Sequence, residues 1–235
     1  DSKIKKNIIN FLKVFDPNKQ DINLLNDLNS LITQEHIHAI KNFDTSKYDI
    51  IGLHGQTIYH NPSKSISLQI INPQKIANYF NKIVVFNFRK NDIKNRGQGA
   101  PLAPIYHKSL IKKFKLTLPS CIINIGGISN ITYWDGNDLI GFDCGPGNGL
   151  MDMFVQETLN MNFDKFGNFA SKGNISKYHL EHFMNNRYFK LKYPKSLDRK
   201  SFQKNYNFIK NSDLSSVDKL ATFTQITIES IKKSF

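Results

Sequence analysis

Residues 121–152 read CIINIGGISNITYWDGNDLIGFDCGPGNGLMD: three apolar runs, separated by Gly126-Gly127 and by Asp135-Gly136-Asn137, and then a glycine cluster behind Asp143. Breaks this short leave room only for tight turns. Gly-Gly and Asp-Gly connections between strand-like runs predict antiparallel hairpins, because glycine and aspartate accept the backbone angles such turns demand. The stretch is therefore expected as a strand ending at Asn124, a returning strand, a second return ending at Asp143, and a helix from near Gly149 through Leu159. Glycine at every turn also means that backbone comes close to something, since no Cβ stands in the way.

Around this stretch, helical and strand-like segments alternate, the pattern of an α/β protein. Residues 3–14 and about 22–41 read as helices. "YDIIGL" at 48–53 reads as a buried strand ending at the "HGQT" turn, and "SISLQI" as another strand. Asn72-Pro73 starts a helix through Phe80, with proline at its first position. "KIVVFNF" is a further strand, "RKNDIKNRGQGAP" a polar loop, and about 102–114 a helix. The composition shifts at "KLTLPS", which sets the expected division into 1–118 and 119–235. "VDKLATFTQITIESIKKSF" closes the sequence as a periodic helix.

Composition narrows the function classes. With 235 residues, 40% of them hydrophobic and 18 phenylalanines, the chain can bury substantial cores. It holds no apolar run long enough to cross a membrane. Two cysteines, Cys121 and Cys144, and an N-terminus without an apolar signal core point to a reducing cytoplasm and no disulfide framework. The net charge of +13 is scattered over "SKIKKN", "FRKNDIKN", "SLIKKFK" and "YFKLKYPKSLDRKSFQKN" rather than focused in a patch. No nucleic-acid-binding signature accompanies it, so small anionic substrates are the expected use of the charge and neither nucleic acid nor membrane is expected as a partner.

Four places could carry chemistry. "NIGGISNIT" can present backbone N–H groups to a phosphate, although Gly-Gly equally suits an ordinary hairpin; it matches neither a Walker A loop nor GxGxxG. Asp143, before a glycine turn and a helix N-terminus, can take a proton from a nucleophile, or can simply cap the turn. Asp152, one turn into the helix, is expected to stabilise that turn. In "FRKNDIKNRGQGAPLAP", Arg89 can pair with a carboxylate, Asp92 can bind hydroxyls, and Gly97-Gln98-Gly99 exposes donors, or the charges are a solvated loop. "HGQT" closes another strand. His54, His60 and His107 have no recognised ligand spacing, so no protein-held metal is expected.

Taken together and in order, "IGLHGQTIYHNP", "SLQI", "VVFNFRKNDIKNRGQGAPLAP", "NIGGISNIT", "GFDCGPGNGLMD", "FDKFGNFASKGNIS" and "YPKSLDR" closely resemble the anhydro-N-acetylmuramic acid kinase family, bacterial sugar kinases of the hexokinase/actin-like ATPase superfamily. The resemblance implies an actin-like, ribonuclease H-like fold of two α/β lobes, residues 1–118 falling in the first, sugar-side lobe and 119–235 in the second. It implies ATP and Mg²⁺. Water would attack the anomeric carbon of 1,6-anhydro-N-acetylmuramic acid while O6 takes the γ-phosphoryl group, giving N-acetylmuramic acid 6-phosphate in peptidoglycan recycling. Asp143 matches the family's general base. Asn124, Gly126, Gly127, Gly145, Gly147 and Asn148 match the phosphate-facing turns. His54, Gln56, Arg89, Asp92, Gly97, Gln98, Gly99, Ala100 and Pro101 are expected on the sugar side. A homodimer is left open.

The sequence also departs from the family pattern. Cys144 stands where threonine is usual, Ile71-Asn72 where Gly-Asp is, Asn87 where aspartate is, and Leu197-Asp198 where Thr-Gly is. The family's first-strand Gly-Thr-Ser-x-Asp-Gly phosphate loop and its Gly-Gly-Gly adenosine motif have no match, so the fold is expected to be truncated at both ends. The expectation is that these 235 residues alone do not turn over ATP. An inactive homologue that retains only sugar or partner binding is the alternative.

Overall fold

The fold is that of a computed structural model, which describes residues 7–8, 10–11, 22–197 and 201–235. The chain divides into two compact units, Asp1–Gly99 and Ala100–Phe235. Most of the helix expected at 3–14, and Asp198, lie outside the described residues.

In the first unit, helix α1 (Ile22–Ile40) precedes strand β1 (Ile50–Gly52), the hairpin β2 (Gln56–Asn61) and β3 (Ile66–Ile70), helix α2 (Pro73–Phe80), strand β4 (Ile83–Val85) and helix α3 (Phe88–Lys94). β1 pairs in parallel with β4, and β2 antiparallel with β3. Helix α2 begins as its sequence dictates: Pro73 holds the first position, and Asn72 Oδ1 accepts the Lys75 N–H at 2.9 Å. Thr33, fully buried on α1, fastens this cap, accepting the Asn72 N–H at 2.9 Å while its hydroxyl donates to Asn29 O at 2.7 Å. Ile32, Ile51, Leu53, Ile58, Ile70 and Ile76 form the core.

Two expectations change here. β1 is covered on one face only: Ile51 and Leu53 are buried, whereas Ile50 is 56% exposed, because only one face of the two-stranded β1–β4 ladder packs on the core. Phe88, expected at the end of a strand, and residues 89–94, expected as loop, are helical. No glycine or proline interrupts that heptapeptide, and Ile93, 6% exposed, anchors it among its charged neighbours.

The second unit starts with helix α4 (Pro104–Lys113) and an antiparallel meander, β5 (Ser120–Ile125), β6 (Ile128–Trp134) and β7 (Leu139–Pro146). Helices α5 (Gly149–Thr158), α6 (Lys177–Met184), α7 (Gln203–Lys210) and α8 (Ser216–Lys232) follow. Both expected hairpins form. Asp135 Oδ1 closes the second, accepting the N–H groups of Asn137 and Asp138 at 2.8 Å each. The composition shift near 117 falls inside this unit, because α4 packs against β6 and β7. The contact is close enough that a Cβ on Gly141 would lie 2.2 Å from Pro104 Cγ. Phe154, Val155, Phe183, Tyr206, Leu220, Phe223 and Ile226 make the core, each large side chain worth about 1.5–3 kcal/mol of burial.

Candidate active site

The glycines that follow β5 and β7 are explained first by the chain itself. The Gly126-Gly127 turn docks against the start of α5, backbone to backbone. Gly126 O accepts the Asn148 N–H at 2.7 Å, and Gly127 O accepts those of Gly147 and Gly149 at 3.1 and 3.2 Å. A Cβ on Gly147 would sit 2.2 Å from Gly126 O, and one on Gly149 2.7 Å from Gly127 O. Side chains at these two positions would part the two turns. The N–H groups of Gly147, Asn148 and Gly149 thus already point at protein carbonyls. The first-turn amides that the helix itself cannot satisfy are then those of Leu150 and Met151. At the hairpin tip, by contrast, a Cβ on Gly127 would meet nothing within 4 Å, so bare backbone faces open space there.

Asp143 lies in the strand rather than at its end. β7 runs on to Pro146 because the ladder absorbs one extra residue: Asn130 pairs with Asp143 and Ser129 with Gly145, leaving Cys144 as a bulge. Cys144 is fully buried, and that burial pushes its thiol pKa up. Asp143 is 6% exposed and is held by a later segment of the chain. Its Oδ2 accepts the Leu197 N–H at 2.7 Å, its N–H donates to Lys195 O at 3.1 Å, and its carbonyl accepts the Tyr188 hydroxyl at 2.5 Å. Sequence reasoning missed Tyr188 and Lys195 as neighbours of Asp143; the "YPKSLDR" motif contains Lys195 but not Tyr188. Helix α8 supports the same region, with Thr227 Oγ1 donating to Gly147 O at 2.9 Å. Ser230 packs where a Cβ on Gly145 would come within 2.5 Å of its own Cβ.

Beside the first turn of α5 opens a cavity of about 750 Å³, walled by Asn148, Met151 and Asp152, by the 163–173 loop with Phe163 and Phe166, and by Gln225 of α8. Asp164 shapes that loop, its carboxylate accepting the Phe169 and Ala170 N–H groups at 3.0 and 2.9 Å. Among the described residues no lysine or arginine lines the cavity, although the chain carries a net +13. It suits an uncharged, partly apolar group better than a free anion.

In the first unit the sugar-side candidates fall into two joined clusters. Arg89 Nε donates to His54 Nε2 at 2.9 Å, while His54 Nδ1 lies 2.9 Å from Gly55 O, an arrangement that the Nδ1–H tautomer satisfies at both nitrogens. Asp92 organises the glycine loop. Its Oδ2 accepts the Gly99 N–H at 2.6 Å and its carbonyl accepts that of Gly97 at 2.8 Å. A Cβ on Gly97 would lie 2.2 Å from Asp92 Oδ2, so that carboxylate would have to shift, and Gly99 takes a φ of +65° against Ile93. Gln56 Nε2 turns to Thr57 O at 3.1 Å, and Gln98 is half-buried. Ala100 and Pro101 open the second unit.

Helices combined with a parallel two-stranded ladder, an antiparallel hairpin and an antiparallel meander make this a mixed α/β protein. The chain belongs to the anhydro-N-acetylmuramic acid kinase family, whose model matches residues 2–235. It is 41% identical over 244 residues to the anhydro-N-acetylmuramic acid kinase of Pelagibacter ubique, covering 96% of this chain and 61% of that protein. To the protein of the same name from Bradyrhizobium diazoefficiens it is 37% identical over 217 residues, 89% of this chain and 58% of that one. To that of Hydrogenovibrio crunogenus it is 41% identical over 184 residues, 77% and 50%. The chain thus spans 50–61% of the length of these curated relatives.

Proposed function

We propose that this chain supplies the general base and a phosphate-facing hairpin of an ATP-dependent kinase that opens 1,6-anhydro-N-acetylmuramic acid. Asp143 takes a proton from water as the water oxygen bonds to the anomeric carbon. The bond from that carbon to O6 breaks, O6 receives the γ-phosphoryl group, and ADP leaves with N-acetylmuramic acid 6-phosphate. The observation that carries this reading is the placement of Asp143, buried and hydrogen-bonded on β7 immediately before the turn docked on Gly126-Gly127. Catalysis of phosphoryl transfer is chiefly positioning and charge stabilisation, which suits a rigid turn whose tip is bare backbone.

The two units then correspond to parts of two actin-like lobes, the first carrying the sugar-side residues His54, Gln56, Arg89, Asp92 and 97–99, with Ala100 and Pro101 at the start of the second. The cation-free cavity beside α5 takes an uncharged part of a ligand. Mg²⁺ would enter with the nucleotide, neutralising charge on its phosphates. Among the described residues no three His, Cys, Asp or Glu side chains form a group able to hold a metal, so phosphate and water oxygens would supply most of its ligands. No helix among the described residues is long and apolar enough to cross a membrane, and the cytoplasm is the proposed location.

The test uses the protein's full reading frame, the anhydro sugar, ATP and Mg²⁺ in ¹⁸O-labelled water. The product should carry the label at C1 and phosphate at O6. Asp143→Asn should lower kcat by roughly 10²–10⁴-fold, the usual worth of a general base, and Asp152→Asn far less. Equal losses in the two variants, or label absent from C1, would overturn the assignment.

A further inference from the structure

We infer that Tyr188 is a positioning residue for the catalytic carboxylate, fixing the main chain of Asp143 where β7 carries its extra residue. The inference rests on Asp143 being the general base. A bulge is where a ladder restrains the chain least, since the inserted residue has no cross-strand partner. Here that residue is Cys144, immediately after Asp143. Rotation of the strand at this point would swing the carboxylate away from the water it has to deprotonate.

One segment supplies the restraint. Tyr188 sits in a short 3₁₀ turn, Arg187–Lys190, started by Asn186, whose Oδ1 accepts the Tyr188 N–H at 2.9 Å. From there the phenol reaches a residue 45 positions earlier and donates to the Asp143 carbonyl at 2.5 Å. Lys195 O and Leu197 N–H complete the hold on the same residue. The Tyr188 ring is 9% exposed, packs edge-on against Phe189 and Phe202, and carries the Lys195 ammonium 4.7 Å above its centre. Burial, and then the neighbouring Asp143 and Cys144, push the phenol's ionisation far above its ordinary range. The hydroxyl therefore stays a donor at every working pH. Ring packing and hydroxyl are separable, so Tyr188→Phe removes the bond to Asp143 and keeps the wedge.

The experiment compares wild type, Tyr188→Phe, Asp143→Asn and the double variant in the full reading frame, with rates normalised to the folded fraction at the assay temperature. Misplacing a catalytic group costs roughly 10–100-fold, so Tyr188→Phe should lower kcat by that factor while KM for sugar and for ATP stays within about twofold. In the Asp143→Asn background the same change should cost nothing further, because the group it positions is gone. An unchanged kcat in Tyr188→Phe would overturn the inference, as would an equal loss in both backgrounds. Full activity of Asp143→Asn alone would instead overturn the reading of Asp143 as base.

Discussion

Gly147 and Gly127 sit in the same pair of docked turns, yet their surroundings demand opposite outcomes on substitution. A methyl group on Gly147 would meet the Gly126 carbonyl at 2.2 Å, and that carbonyl is fixed by the hairpin and by the Asn148 N–H. The turns must separate to admit it, and overpacking of this kind costs about 1–3 kcal/mol. A methyl group on Gly127 meets nothing within 4 Å, and its φ lies outside the left-handed region. Gly127→Ala should therefore leave stability within about 0.5 kcal/mol of wild type. Denaturant unfolding of the two variants measures the contrast directly. If the tip faces the phosphates as proposed, Gly127→Ala should raise KM for ATP in the full reading frame while the unfolding midpoint stays put. Equal destabilisation by the two substitutions would refute the turn-docking account.

At the scale of elements, helices α5 and α7 are joined by one acidic side chain. Glu157 Oε2 accepts from Tyr206 OH at 2.8 Å and pairs with Lys210 Nζ at 2.5 Å. Partial burial works against the carboxylate's charge, but the bonds from Lys210 and Tyr206 prevail, and its pKa lies below the ordinary 4.5. A lowered carboxylate pKa stabilises the fold above the unfolded-state value and loses that contribution as pH falls through the folded-state value. The pair is partly exposed, so the gain is small, about 0.2–1 kcal/mol. Wild type should thus be more stable than Glu157→Gln near pH 7, with the difference shrinking below pH 4.5. Urea unfolding of both proteins at several pH values reads this out, and a difference that does not change with pH would contradict it. None of this pin was legible in the sequence, where Glu157 and Lys210 lie 53 residues apart. Local signals performed better. Asn72-Pro73, Gly126-Gly127 and Asp135-Gly136 each placed an element boundary, because capping and turn preferences act over a few residues. The helix at 88–94 was hidden by its charges, since only Ile93 reports its buried side. At the candidate site, the place of Asp143 on a strand before a glycine turn was legible. Its hold by Tyr188, Lys195 and Leu197 was not, because that depends on where a distant segment folds back.

At the scale of the whole molecule, the two larger core clusters of the described residues share no residue. One draws on residues from Phe11 to Ile76, the other on residues from Phe154 to Ile226, and each falls inside one compact unit. Residues 100–235 contain their own three-stranded sheet, the helices that pack on it and the whole of the second cluster. Expressed alone, that segment should fold and unfold in a single cooperative transition, as small domains with their own core do. Its two cysteines report the event independently. Cys121 is exposed on β5, whereas Cys144 is buried at the bulge with its thiol pKa raised, first of all by that burial. Buried, protonated thiols are inert towards disulfide reagents. In the isolated segment an aromatic disulfide reagent should titrate one thiol under native conditions, and the second only across the urea transition seen by circular dichroism. Cys121→Ser should then leave no native-state reaction. Immediate reaction of both thiols, without a cooperative transition, would show that this unit depends on the remainder of the chain for its core.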